Sequence, residues 1–260
     1  MSALGFDVST RREKQPEPSV RRPPRGSRGR PLRAIGRLAV GLTIVVALSA
    51  GGVKYVVPSA SDAEQRVAQL AAARHVSQSA SPTPPKIAAA LIATEDAGFA
   101  TNIGIDPAGV LRWARGVATG ASEDAGGATI EQQLAKMLYT DGHRQPIDQV
   151  EQVALALKLN ADYSKPQILR MYLDTAYFGH GYYGLSAASQ GYFHSPPARL
   201  AWQQAALLAG LVQAPTAYDP VQHPDLASSR RAHVLARLAA TGHFTASQAA
   251  RLAATSLGLG

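Results

Sequence analysis

The chain has 260 residues, 46% of them apolar but only 6% aromatic, with a formal net charge of +8. That length holds one sizeable domain with appendages, and the alanine-rich, aromatic-poor balance favours helices. Zero cysteines exclude disulfides, thiolate zinc sites and cysteine nucleophiles.

The charge sits at one end. Residues 1–37 hold ten Lys/Arg against three Asp/Glu, a net of +7, and the other 223 residues carry a net of only +1. A basic tail without aromatic interleaving is a poor nucleic-acid arm, and no nucleic acid is expected as a partner. Residues 1–33, rich in Arg, Pro, Gly and Ser, bury too little to offset their ordering entropy, so a disordered basic cytoplasmic tail is expected. The apolar run Leu38–Val57 follows. Twenty residues at about 1.5 Å each reach about 30 Å, one hydrocarbon thickness. A single transmembrane helix is therefore expected over 34–58, with Lys54 snorkelling and Tyr55 at the interface. The upstream basic residues place the N-terminus in the cytoplasm and everything after the span outside the cell membrane. The n-region is too long for an ordinary cleaved signal peptide.

Residues 59–85 read as a short helix, Ser61–Val76, and a Ser/Pro-rich linker, with the compact extracytoplasmic domain over 86–260. Helical spacing predicts elements at Pro107–Ala118, Ile130–Leu138 and Ile147–Ala161, with Thr119–Gly127 a loop. Ser164-Lys165-Pro166-Gln167 opens the next helix as a capping box with proline in the first turn. Ala201–Val212 is almost wholly apolar and too short to span a membrane, which suits a central core helix. Leu226–Ala240 ends at Gly242, and Thr245-Ala246-Ser247-Gln248 caps a last helix. No alternating strand pattern appears, so the fold class is mainly α.

The stretch Ala90–Asp106 carries the chemistry. An apolar helical approach delivers Glu95 and Asp96, and Gly98, Phe99 and Gly104 follow. A carboxylate where a buried helix gives way to a glycine turn suits a general base, since burial lifts its pKa and the turn admits substrate. The same pattern also suits an acidic helix end on which Asp96 caps a neighbour.

Further stretches follow in fixed order. They are Gly126-Gly127-Ala128-Thr129-Ile130-Glu131-Gln132-Gln133, then Tyr163-Ser164-Lys165-Pro166-Gln167-Ile168-Leu169 with Tyr172-Leu173. Tyr177-Phe178-Gly179-His180-Gly181 with Tyr183-Gly184, Ala187-Ala188 and Tyr192-Phe193 come next, and Ala206-Leu207-Leu208-Ala209-Gly210-Leu211 leads to Ala214-Pro215. Together they resemble the peptidoglycan glycosyltransferases of family 51, the monofunctional transglycosylases of the penicillin-binding-protein type, over roughly residues 85–240. The resemblance implies a lysozyme-like glycosyltransferase domain behind the membrane helix. It implies polymerisation of lipid II into glycan strands, with inversion at C1 and release of undecaprenyl diphosphate. Lipid II, the nascent strand, the membrane and proteins of cell-wall synthesis are the implied partners. No cofactor is required, although room is left for a divalent cation, and no metal-ligand motif is present.

On that resemblance Glu95 is the general base and Lys136 and Arg144 stabilise the leaving diphosphate, with Arg112 a third cation. Asp96, Phe99, Gly126, Gly127, Thr129, Gln132 and Gln133 fall on the family's substrate-binding positions. Four departures stand out. Asn102 replaces a usual histidine, Ala128 a serine and Glu131 a threonine. The family's Arg-Lys-x-x-Glu motif falls on Asp148-Gln149-Val150-Glu151-Gln152. Gln152 thus takes the place of an acid, and Glu151, about 100° round the helix, is the candidate replacement. Glu131, five residues before Lys136, either orients that lysine or competes for it. Three readings stay open at this point: an active polymerase, a degenerate homologue that binds lipid II or scaffolds wall synthesis, and a lysozyme-like hydrolase. No Ser-x-x-Lys of a penicillin-binding half occurs.

Overall fold

A computed structural model describes residues 59–78, 82–106, 109, 128–140 and 146–260. The expected cytoplasmic tail, the membrane span over 34–58 and the helix at Pro107–Ala118 lie outside the described residues. Among the described residues no helix is long and apolar enough to cross a membrane.

The described part is helical: α1 (Ala63–Ala73), α2 (Pro85–Glu95), α3 (Ile130–Tyr139), α4 (Pro146–Asp162), α5 (Lys165–Thr175), α6 (Leu185–Phe193), a 3₁₀ turn (Pro197–Arg199), α7 (Trp202–Leu211), α8 (Pro224–Ala240) and α9 (Ala246–Ala253). No strand occurs among the described residues, and an isolated bridge joins Tyr177 to Tyr183. The mainly α class follows.

The ends of these helices come from local chemistry. Thr129 caps α3: its hydroxyl accepts from the Gln132 N–H at 3.2 Å, and the Gln132 side chain accepts from the Thr129 N–H at 2.9 Å. Thr245 and Gln248 do the same for α9, and Gln167 accepts from the Ser164 N–H at 2.9 Å ahead of α5. Proline opens α2 and α8, where a missing N–H costs nothing.

α7 is the axis. Ala205 through Leu211 are all buried, and α2 and α8 pack on it, with α9 against α8. Gly210 permits the close approach of α8, because a Cβ there would sit 2.9 Å from Arg230 Cγ. A second group sets α3 against α4 and α5, and α5 against α1. One continuous core runs through both groups.

Two departures from the sequence reading concern extent. The core reaches back to Ala60, Ala63 and Val67, ahead of the domain start expected at 86. α1 is fastened by Arg170 to Glu64 at 2.6 Å and by Tyr139 Oη to Asp62 at 2.8 Å. The helix α6 was not anticipated, because Gly191 and two serines break its apolar period. Gly191 has a tertiary reason: a Cβ there would meet the Tyr182 ring at 2.2 Å.

Candidate active site

α2 ends at Glu95, and Asp96 turns the chain out of the helix while its N–H still bonds the Ile92 carbonyl. This leaves Glu95 at the meeting line of the two helix groups. Gln133 Nε2, on α3, donates to Glu95 Oε2 at 3.3 Å, and Arg230 Nη2, on α8, donates to Oε1 at 3.1 Å. The Glu95 and Arg230 side chains are each 11% exposed. Burial raises the Glu95 pKa above the ordinary carboxylate range, and the bonds from Gln133 and Arg230 pull it down without cancelling the rise. The result is a basic carboxylate held in one orientation.

The Gln133 amide is itself fixed. Tyr172, buried on α5, donates from its hydroxyl to Gln133 Oε1 at 2.8 Å, so the NH₂ group must face Glu95 and the Ala128 carbonyl. Burial, then the nearby Glu95 charge, pushes the Tyr172 phenol far up, and it stays a donor. Arg230 is anchored by Nε to the Gly210 carbonyl at 3.2 Å, with its guanidinium 5.8 Å from the Tyr218 ring centre. Sequence reasoning missed Tyr172 and Arg230 as site residues. An arginine on an amphipathic helix is ordinarily solvated, and nothing local to 224–240 points to a carboxylate 135 residues away.

Asp96 faces elsewhere. Its Oδ2 accepts from Asn102 Nδ2 at 2.8 Å and from the first N–H of α3, at Ile130, at 3.3 Å. Burial raises its pKa as well, against those two bonds and the Lys165 charge. Phe99 is buried, and Lys165 Nζ lies 4.8 Å from its ring centre. Thr129 is buried and donates to the Gly104 carbonyl at 2.7 Å, and Gln132 serves the cap of α3. Of the two glutamines, Gln133 therefore addresses Glu95.

Lys136 is half-buried on α3, one turn beyond Gln133. Gln152 Nε2 donates to Thr140 Oγ1 at 3.2 Å, and that hydroxyl donates to the Lys136 carbonyl at 3.2 Å. Gln152 is thereby brought to the end of the helix that carries Lys136. Glu151 is half-buried on α4. Arg112, Gly126, Gly127 and Arg144 lie outside the described residues. Glu131 corrects an expectation: its carboxylate meets Lys165 Nζ at 2.6 Å and is fully buried, so its ionic partner is on α5 rather than Lys136. Among the described residues no group of three or more His, Cys, Asp or Glu side chains is placed to hold a metal ion.

The profile of a family described as transglycosylase matches residues 63–239. Penicillin-binding protein 1F of Bacillus subtilis (strain 168) is 37% identical over 177 residues, covering 68% of this chain and 25% of that protein. Penicillin-binding protein 1A of Aquifex aeolicus (strain VF5) is 38% identical over 165 residues, covering 64% and 23%. Penicillin-binding protein 1A of Escherichia coli (strain K12) is 34% identical over 182 residues, covering 70% and 21%. The chain thus spans at most a quarter of the length of these relatives.

Proposed function

Because this chain belongs to the transglycosylase family, we propose that it is a peptidoglycan glycosyltransferase that polymerises lipid II into glycan strands. The observation that carries the reading is Glu95: a buried carboxylate of raised pKa, oriented from both sides by Gln133 and Arg230. A sugar hydroxyl is a weak nucleophile near neutral pH and needs such a base. In the proposed step Glu95 takes the proton of the acceptor 4-hydroxyl as its oxygen bonds to C1 of the growing chain. The bond from C1 to the diphosphate oxygen breaks on the opposite face, its electron pair leaves with undecaprenyl diphosphate, and C1 inverts. Lys136 and Arg144 supply the positive charge that the departing diphosphate requires.

A lysozyme-like arrangement of the helices, an N-terminal membrane anchor over 34–58 and an extracytoplasmic domain complete the proposal. The anchor rests on the length of the apolar run and its basic flank. It would hold the domain beside a lipid-linked substrate. Lipid II, the nascent glycan strand and the membrane are the partners this chemistry needs. A divalent cation is not required by any step. Asp96, spent on the α3 N-terminus, is a poor second acid for a hydrolase, which needs two carboxylates flanking its bond.

The test is incubation of the detergent-solubilised full chain with labelled lipid II. Polymer with release of undecaprenyl diphosphate is the expected result. Binding without turnover would establish a non-catalytic homologue, and cleavage of preformed glycan a hydrolase.

A further inference from the structure

Lys165 is the first residue of α5, where the helix dipole disfavours a cation. Its ammonium is held there by groups from two other elements. Nζ donates to Glu131 Oε1 at 2.6 Å, in the first turn of α3, and to Asn102 Oδ1 at 2.7 Å, in the turn after α2. Glu131 is fully buried, and its Oε2 has no hydrogen-bond partner. An incompletely satisfied buried ion pair is weak evidence for stability. Its connections say more. Asn102 passes the contact on, accepting from the Gly104 N–H at 2.9 Å and donating to Asp96, the residue next to Glu95. Glu131 lies two residues before Gln133, which binds Glu95 from the other side. One arm therefore ends on Asp96, the residue that follows Glu95, and the other on the first turn of the helix whose Gln133 holds Glu95.

We propose that Lys165 and Glu131 form a positioning clasp, which fixes the turn from Asp96 to Gly104 against the first turn of α3 and so sets the orientation of Glu95. Lys165 is a positioning residue that acts through Asn102 and Asp96. Glu131 supplies the counter-charge that keeps it there. The catalytic half of this inference rests on the glycosyl-transfer reading, and the structural half does not.

Lys165→Met alone leaves a buried carboxylate unmatched, so the deciding variant is Lys165→Met with Glu131→Gln, which removes both charges. Three readouts are needed: thermal stability, amide hydrogen exchange, and kcat and KM on labelled lipid II. The double variant is expected to melt near the wild type. The amides of Gly104 and Ile130, whose acceptors belong to the clasped turn, should exchange at least about tenfold faster, with α7 amides unchanged. kcat should fall at least about tenfold with KM within about threefold. A purely structural pair predicts otherwise, since turnover would recover together with stability. That recovery, unchanged exchange at Gly104 and Ile130, or a double variant that does not fold would each overturn the proposal. A wild type that makes no polymer would sink glycosyl transfer instead, and the exchange data would still decide whether the clasp holds the turn.

Discussion

Arg230 donates to Glu95 at 3.1 Å and joins two residues 135 apart in the chain. The guanidinium lowers the pKa of a carboxylate that burial has raised, so it sets where the base becomes competent. Arg230→Met removes the lowering charge and leaves the burial. The ascending limb of kcat/KM against pH should move to higher pH, and turnover near neutrality should fall about tenfold, roughly 1.4 kcal/mol. Arg230→Lys should keep part of the effect. An unmoved limb in the methionine variant would separate Arg230 from the base.

Glu95→Gln tests the base itself. Turnover should fall by about 10²–10⁴-fold. Its stability consequence has a definite sign. The folded pKa of Glu95 lies above the unfolded value, so the native state keeps a proton that the unfolded chain releases in that window. The stability this provides is full below the ordinary carboxylate pKa and is lost as pH rises through the folded pKa. Glutamine cannot ionise and escapes that loss. The Tm of Glu95→Gln should therefore match or exceed wild type at neutral pH, with the difference narrowing on acidification. A lower Tm at neutral pH would show the ionised carboxylate to be structural.

Much of this was legible locally. The box at Thr245, the apolar α7 and the helix ending at Glu95 are each specified within a few residues, and each forms; at Ser164 the Gln167 side chain accepts from the cap N–H. Partners were not legible. Gln132 and Gln133 are adjacent and chemically identical, yet one caps α3 and the other holds Glu95. Gln132 stands third after the Thr129 cap, a local relation, but what turns Gln133 toward Glu95 is Tyr172, placed only once α5 is docked. Glu131 likewise looked toward Lys136 by spacing, and the packing of α5 against α3 gave it Lys165 instead.

Gly104 has a backbone reason to be glycine. Its φ is +98°, and a Cβ would lie 2.5 Å from the Ala156 carbonyl oxygen. Gly104→Ala meets both the dihedral penalty, about 1–3 kcal/mol, and a clash with α4 backbone that cannot yield. Gly181, at φ +81°, has nothing within 4 Å of the same atom. Gly181→Ala should therefore show the dihedral penalty alone. Urea unfolding of the two variants should rank Gly104→Ala the more destabilised. Equal losses would mean that the turn sits farther from α4 than described.

The acid missing from the third motif gives the last prediction. Glu131 is removed as a replacement by its burial beside Lys165, and Glu151 is left on the stretch, half-buried on α4. If Glu151 has taken over the task, Glu151→Gln should lower turnover of lipid II at least about tenfold, roughly 1.4 kcal/mol. Gln152→Glu meets a hydroxyl that is already donating to the Lys136 carbonyl. The new carboxylate then lacks a donor unless Thr140 turns round, and it faces the unfavourable end of the α3 dipole. A loss of about 1 kcal/mol of stability is expected, with turnover unchanged or improved. Side-by-side assays of both variants on labelled lipid II decide the matter. If Glu151→Gln has no effect and Gln152→Glu raises the rate sharply, the task was never relocated. The natural glutamine would then mark a weakened enzyme whose retained use is to bind lipid II.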